Sequence, residues 1–165
     1  LKKDIMKFLQ SEKDIIVTTF VDFFRIPTNM PGYADCMIEG VPHADQVNCL
    51  EKSFGQAIKD ERFVPYIQLH EFEALLFCSN KGFEYFYDDT IYNKTKEIVD
   101  SFANPEDINS SPQTAPSKRL LSIKPDYDKV IEGNLIAIEV GINSILEKCP
   151  RFKAWVKKLC EVVAK

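Results

Sequence analysis

Apolar and polar residues recur at two different periods in the first part of the chain, and these periods predict a helix followed by a strand. Ile5, Phe8 and Leu9 share one helical face, so an amphipathic helix is expected to end near Ser11. Residues 15–24 are dense in β-branched and aromatic side chains, which is typical of a buried strand.

A proline-rich stretch separates this strand from a second helix and a second strand. Residues 27–42 contain three prolines and two glycines, which predicts a long loop. Residues 43–61 predict a helix, because apolar side chains recur there at helical spacing: Val47, Leu50, Phe54 and Ile58. Residues 63–69 predict the second strand, and residues 70–78 turn at once into a helix. A strand followed by a helix, twice in a small chain, indicates an α/β fold.

The remaining residues predict helices only. Residues 90–103 form one helix, and Asn104 and Pro105 have the residue types of a helix start, with Asn as the cap. Two apolar stripes follow in the C-terminal third, with Pro150 between them: Leu135, Ile138, Ile142 and Ile145, then Phe152, Trp155, Val156, Leu159, Val162 and Val163. The sequence therefore predicts one domain over residues 1–165, with many helices around a small sheet.

Charge and hydropathy narrow the classes of partner. Twenty-one basic and twenty-five acidic residues leave a net charge of −4, which argues against a protein whose whole surface binds nucleic acid. A basic run between Lys148 and Lys158 leaves a local patch open, although such a run is usually the solvated face of a helix. The longest uncharged apolar run, Ile15–Val21, is far too short to span a membrane. We therefore expect no membrane partner.

Cysteine usage indicates a reducing compartment. The chain has five cysteines, an odd number, and no two are spaced as C-x-x-C. This argues against a disulfide scaffold and against a cysteine zinc site, and it favours reduced, mostly buried thiols in a cytoplasmic protein. The first residue is Leu rather than Met, so we expect part of the N-terminus to be missing.

Asp22 is the first candidate functional residue. It follows an apolar strand, and open α/β sheets place their ligand crevice at the carboxyl ends of strands. The alternative is a carboxylate that caps a helix or satisfies a loop. Position alone leaves both interpretations open.

The block His70-Glu71-Phe72-Glu73 is the second candidate. Glu73 is predicted to lie among apolar neighbours, and a carboxylate there is costly unless it is paired or binds a metal. Glu71 could instead complement a helix N-terminus. His70 is as consistent with a structural role as with that of a ligand or proton shuttle. The block does not match H-E-x-x-H, which excludes a zincin.

The third candidate is the segment of residues 114–119, where a proline opens a helix that carries a hydroxyl and two cations. Its first turn could hold a phosphate or a partner carboxylate, and Asn109 could frame the same pocket. The alternative is a capped helix with solvated basic residues. Glu106 and Asp107 are interpreted as capping acids. No glycine-rich phosphate loop is present in the sequence.

Four blocks resemble a known family in their order and spacing: VTTFVDFFRIPTNMPG, RFVPYIQLHEFEALLF, NPEDINSSPQTAPSKRL and CPRFKAWVKKL. Together they are similar to the bacterial family known as domain of unknown function 4276, over nearly the whole chain. The resemblance implies a Toprim-like fold, a small, mainly parallel sheet flanked by helices. The family is more distantly similar to overcoming-lysogenization-defect nucleases. The resemblance also implies an anti-phage defence system with an ATPase partner.

The resemblance also implies roles for the candidate residues. Asp22 matches the first acid of the Toprim D-x-D motif, and Asp22, Glu71 and Glu73 would bind Mg²⁺ or Mn²⁺. His70 belongs to the same acidic block. The phosphate or substrate site would contain Asn109, Ser117, Lys118 and Arg119. The implied activity is that of a metal-dependent nuclease or phosphoryl-transfer module acting on nucleic acid.

Two departures from the Toprim pattern favour other functions. The second D-x-D acid is replaced by Phe24, and the strand that carries an E-G-x-T-E type motif should precede residue 1. One alternative is a non-catalytic module that regulates an associated ATPase. Another is a structural interaction domain, in which the acidic block pairs with Lys118 or Arg119 in a buried network.

Overall fold

The computed structural model describes residues 1–108, 111 and 113–164, and these fall into two compact units. The N-terminal unit comprises Leu1–Leu69 and Trp155–Lys165, and the middle unit comprises His70–Ala154. The fold is α/β and rich in helix. Among the described residues, every helix is too short or too polar to cross a membrane.

The N-terminal unit contains three helices and four short strands ahead of the last helix. In chain order these are α1 (Lys2–Ser11), β1 (Val17–Thr18), β2 (Val21–Asp22), α2 (Tyr33–Cys36), α3 (His43–Ile58), β3 (Phe63–Val64) and β4 (Ile67–Gln68). The predicted helix at the N-terminus and the predicted helix over 43–61 are both confirmed. α3 ends at Ile58, and Lys59, at its C-cap, adopts the left-handed conformation (φ 55°).

The two predicted strands are present as parallel partners, and each is interrupted at its centre. β1 pairs with β3 and β2 pairs with β4, with Val17 opposite Phe63 and Val21 opposite Ile67. The interruption falls at Pro65, which has no N–H to donate to a sheet. There the Thr19 side chain supplies the hydrogen bonds between the strands, because its hydroxyl accepts the Tyr66 N–H and donates to the Tyr66 carbonyl, each at 3.0 Å. A side chain thus bridges the gap that the proline leaves.

The loop between β2 and α3 corrects one expectation about the cysteines. It contains the short helix α2, and Cys36 at the end of α2 is disulfide-bonded to Cys49 in α3. The expectation of reduced thiols throughout is therefore wrong for this pair. The two cysteines are separated by 13 positions, so only the return of the loop onto α3 brings them together. Cys78, Cys149 and Cys160 are free thiols, and the first two are buried.

Arg62 ties the end of α1 to the start of β3. Its guanidinium binds the Asp60 carboxylate through Nε (3.0 Å) and Nη2 (2.7 Å). It also donates to three backbone carbonyls, those of Leu9 (2.9 Å), Glu12 (2.8 Å) and Lys13 (3.0 Å). One side chain therefore satisfies carbonyls that the C-terminus of α1 leaves without helical partners.

The middle unit contains helices. They are a 3₁₀ helix (Phe72–Cys78), α4 (Lys81–Phe86), α5 (Asp89–Ser101), a second 3₁₀ helix (Pro105–Asp107), α6 (Pro116–Ile123), α7 (Glu132–Lys148) and the first residues of α8 (Pro150–Val163). The helix predicted over 70–78 is thus a 3₁₀ helix that starts at Phe72. Asn104 caps the second 3₁₀ helix, as expected, by accepting the Glu106 N–H at 3.0 Å.

α7 buries a different face from the one that its apolar stripe suggests. Of the four residues in the stripe only Ile145 is buried, whereas Leu135, Ile138 and Ile142 are exposed. The buried face carries Gly133, Ile136 and Val140, and Ile136 packs against Gly82 of α4. Gly141 (φ 74°, ψ 147°) interrupts the helix.

Candidate functional site

The acidic block lies where the chain leaves β4. His70 adopts a left-handed conformation (φ 68°), which is uncommon for a residue other than glycine. Glu71 is extended, and the 3₁₀ helix begins directly after it. His70, Glu71 and Glu73 are all buried, with Glu73 at 0% exposure. Titratable side chains buried beside an unusual backbone conformation are common at functional sites.

Glu71 caps α6. Its Oε2 accepts the backbone N–H of Ser117 at 2.9 Å, and Ser117 is the second residue of that helix. Ala115, at the N-cap position, makes no side-chain cap, so the glutamate satisfies an otherwise unpaired N–H near the positive end of the helix dipole. The segment 114–119 was expected to hold a phosphate or the carboxylate of a partner; in the structure its Ser117 N–H binds a carboxylate of the same chain.

Glu73 forms an ion pair with Lys129. Lys129 Nζ lies 3.1 Å from Glu73 Oε2, and the lysine side chain is half exposed. The other oxygen, Glu73 Oε1, is buried and has no hydrogen-bond partner among the described residues. Burial raises the pKa of Glu73, and the ammonium of Lys129 lowers it less strongly. The cost of burying this charge is therefore only partly offset by its partner.

Tyr127 is a second buried polar group in the same part of the middle unit. Its hydroxyl has no hydrogen-bond partner among the described residues. Its pKa is raised by burial and then by the charge of Glu73. Gly133 leaves room for this hydroxyl, because a Cβ at that position would lie only 2.7 Å from it. Sequence reasoning missed both Tyr127 and Lys129, although they stand in a segment dense in charged residues, KPDYDK, just before α7.

Arg119 is held by its own helix start and by an aromatic ring. Its Nε donates to the Thr114 carbonyl at 2.8 Å, and its guanidinium lies 5.4 Å from the centroid of the Phe102 ring. Lys118 is exposed to solvent. Asn109 lies outside the described residues. Among the residues that the structure describes, the cation that pairs with the acidic block is thus Lys129, and not Lys118 or Arg119.

Glu106 caps a helix other than its own. Both carboxylate oxygens are used, because Oε2 accepts the Arg151 N–H at 2.9 Å and Oε1 accepts the Phe152 N–H at 3.1 Å. These N–H groups belong to the first turn of α8. Glu106 is 1% exposed, and burial raises its pKa although both hydrogen bonds lower it. A capping role was expected, but for the 3₁₀ helix in which Glu106 itself lies.

Asp22 is the last residue of β2, in the N-terminal unit, which confirms its predicted place at a strand end. It stands opposite Gln68 in the parallel register. Asp22 is half-buried.

The acidic block of the middle unit does not fit a divalent cation in this arrangement. Glu71 gives one oxygen to a backbone N–H, and the position next to Glu73 Oε2 is taken by an ammonium. A metal ion there would face a like charge, whereas Mg²⁺ requires several oxygen ligands around it. Within either unit, residues 1–108, 111 and 113–164 contain no group of three or more His, Cys, Asp or Glu side chains arranged to hold a metal.

Comparison with known proteins identifies a family. The family model described as "Domain of unknown function (DUF4276)" matches residues 1–160. Neither the curated proteins nor the solved structures give a match.

Proposed function

The chain belongs to the DUF4276 family, and we propose that it is a non-catalytic interaction module that binds a partner protein. The observation that carries this proposal is the internal use of the acidic block. Glu71 is bound to the start of α6 and Glu73 to Lys129, so both carboxylates serve the fold. An ATPase is the class of partner that the family resemblance implies.

Glu73 is fully buried and Lys129 is half exposed. This difference in burial makes a structural role of the ion pair testable. Lys129→Met would leave a fully buried carboxylate without its counter-charge, and we expect the unfolding free energy to fall by roughly 2–4 kcal/mol at neutral pH. Glu73→Gln leaves only a half-exposed ammonium, which water can solvate, so the loss should stay below about 1 kcal/mol. Adding Glu73→Gln to Lys129→Met should restore most of the lost stability. Denaturant unfolding of the four proteins measures these differences.

A control variant completes the stability series, and the melting temperature with Mn²⁺ decides between a structural ion pair and a metal site. Lys118→Met is the matched control, because Lys118 is an exposed lysine of the same unit and should tolerate the change. Mn²⁺ should leave the melting temperature of the unsubstituted chain unchanged, since only a ligand that binds the folded state raises it. A rise with Mn²⁺ that Glu73→Gln abolishes would contradict the interaction module.

That contrary result would favour a second candidate, a Mg²⁺- or Mn²⁺-dependent nuclease or phosphoryl-transfer module with a Toprim-like fold. Its supporting observation is the buried Glu73 Oε1 without a hydrogen-bond partner among the described residues, three positions after the left-handed His70. The family resemblance implies Asp22, Glu71 and Glu73 as its ligands. Metal-dependent cleavage of labelled DNA or RNA, lost in Asp22→Asn and Glu73→Gln, is the activity that this candidate requires.

A further inference from the structure

Two buried cysteines of the middle unit are in contact across 71 positions of the sequence. Cys78 is the last residue of the 3₁₀ helix Phe72–Cys78, and Cys149 lies between α7 and α8. Their sulfurs are 3.3 Å apart, and the two residues are 1% and 0% exposed. Neither thiol takes part in the ion pair or in the helix caps described above. The fold therefore places two nucleophilic groups side by side without an assigned role.

The backbone fixes the position of Cys149 on both sides. Its N–H donates to the Ile145 carbonyl at the end of α7, and its carbonyl accepts the Lys153 N–H near the start of α8, each at 2.9 Å. Glu106 caps the first turn of α8 directly after this cysteine. The ends of two helices thus hold the Cys149 sulfur against Cys78, and no long irregular loop separates the pair from a fixed element.

The distance between the two sulfurs suits a disulfide. The bond is about 2.05 Å long, so the sulfurs need to approach by roughly 1.3 Å. Each sulfur moves when its side chain rotates about the Cα–Cβ bond, and two small rotations can close such a gap. A metal ion is a poorer occupant, because the part of the chain that the structure describes contains no group of three or more His, Cys, Asp or Glu side chains that could hold one.

We propose that Cys78 and Cys149 form a redox-sensitive pair, which a peroxide converts into a disulfide that joins the 3₁₀ helix to the start of α8. In the first step one thiolate attacks a peroxide oxygen, and the O–O bond breaks to give a sulfenic acid and hydroxide. In the second step the other thiolate attacks the sulfenic sulfur, so that the S–S bond forms and the S–O bond breaks with release of a second hydroxide. The two hydroxides take up the two thiol protons and leave as water. The pair loses two electrons, and the peroxide gains them.

The surroundings of the pair make this reaction slow in the folded chain. The hydrogen bond to Cys78, followed by burial, raises the pKa of the Cys149 thiol. Because the thiolate is the nucleophile, the pair should react more slowly than Cys160, which is a free and exposed thiol. The pair would therefore respond to sustained rather than brief exposure to an oxidant. This inference does not depend on the proposed function, since an enzyme or an interaction module could equally carry the pair.

Peptide mapping under non-reducing conditions tests the pair. Cys160→Ser removes the exposed thiol, so that no link between chains can form through it, and hydrogen peroxide is added until the map no longer changes. We expect two peptides linked through Cys78 and Cys149, with a combined mass lower by two hydrogens. A final map in which both residues remain thiols, or in which either one ends as a sulfinic or sulfonic acid, overturns the proposal.

The stability of the oxidised chain provides a second measurement. Because the link closes a loop across 71 positions, peroxide should lower the unfolding equilibrium constant of Cys160→Ser at least about 30-fold in guanidinium denaturation. Cys149→Ala in the same background is the matched control, since it cannot form the link and peroxide should leave its unfolding constant unchanged. An equal shift in both proteins would contradict the link. The peptide map requires no change at either buried position, so it decides the question even where Cys149→Ala does not fold.

Discussion

Two buried glutamates of the middle unit differ in what their oxygens bind. Glu106 uses both oxygens to accept backbone N–H groups, whereas Glu73 uses one oxygen for an ammonium and leaves the other without a hydrogen bond among the described residues. Conversion to glutamine replaces one acceptor oxygen by an NH₂ group. The same substitution should therefore have opposite consequences at the two positions.

We expect Glu106→Gln to lower the unfolding free energy by about 1–3 kcal/mol, because its NH₂ group would face a backbone N–H at the start of α8. The matched variant Glu73→Gln should cost less, since the amide can still accept from Lys129. Equilibrium denaturation of both variants under one condition provides the comparison. Equal losses would contradict the assignment of Glu106 as the cap of α8.

The sequence predicted where these residues lie better than which groups they bind, because the binding partners are far apart along the chain. The costly position of Glu73 among apolar neighbours was predictable from spacing within one helix. Its partner Lys129 was not, because it lies 56 positions away. Glu71 was expected to complement the N-terminus of the helix in its own segment, whereas it caps α6 through Ser117, a pairing that depends on how the middle unit folds.

At the scale of elements, local patterns were sufficient for α1, α3 and the two interrupted strands. Each of these has one clear apolar face or a continuous apolar run, and their positions were confirmed. α7 was ambiguous because isoleucines stand on both sides of it, so periodicity could not choose between the face of Ile138 and that of Ile136. The face of Ile136 is buried because it packs against Gly82 of α4, where the absence of a side chain lets the two helices approach closely.

The centre of the parallel strand pair depends on one hydroxyl. Thr19→Val keeps the shape of the side chain but removes both hydrogen bonds to Tyr66, so we expect a loss of about 1–3 kcal/mol in unfolding free energy. Thr19→Ser keeps the hydroxyl and should recover most of the stability. Thermal unfolding followed by circular dichroism provides the measurement. If valine were as stable as threonine, the side-chain bridge would have no net stabilising effect.

For the whole molecule, two buried glutamates contribute a stability that changes with pH. The pKa values of Glu73 and Glu106 are both raised in the folded state, with burial as the largest cause. As the pH rises above their ordinary value of 4.5, the unfolded chain releases these protons before the folded chain does. The two glutamates therefore lower the unfolding free energy as the pH rises through this window, up to their folded pKa values.

We expect the double variant Glu73→Gln and Lys129→Met to flatten this decline, because it removes one of the two titrating carboxyls. Urea unfolding from weakly acidic to neutral pH gives the slope for the unsubstituted chain and for the variant. An unchanged slope would show that Glu73 titrates alike in the folded and unfolded chains.

The bonds of Arg62 set a practical limit on how far the protein can be shortened. The acceptors of its guanidinium are spread from Leu9 to Lys13 on one side, with Asp60 on the other. A version trimmed past Lys13 would keep the arginine and its aspartate but lose all three carbonyls. Those who design shorter forms for crystallisation or binding work should therefore keep α1 and the turn after it, even though most of that helix faces solvent.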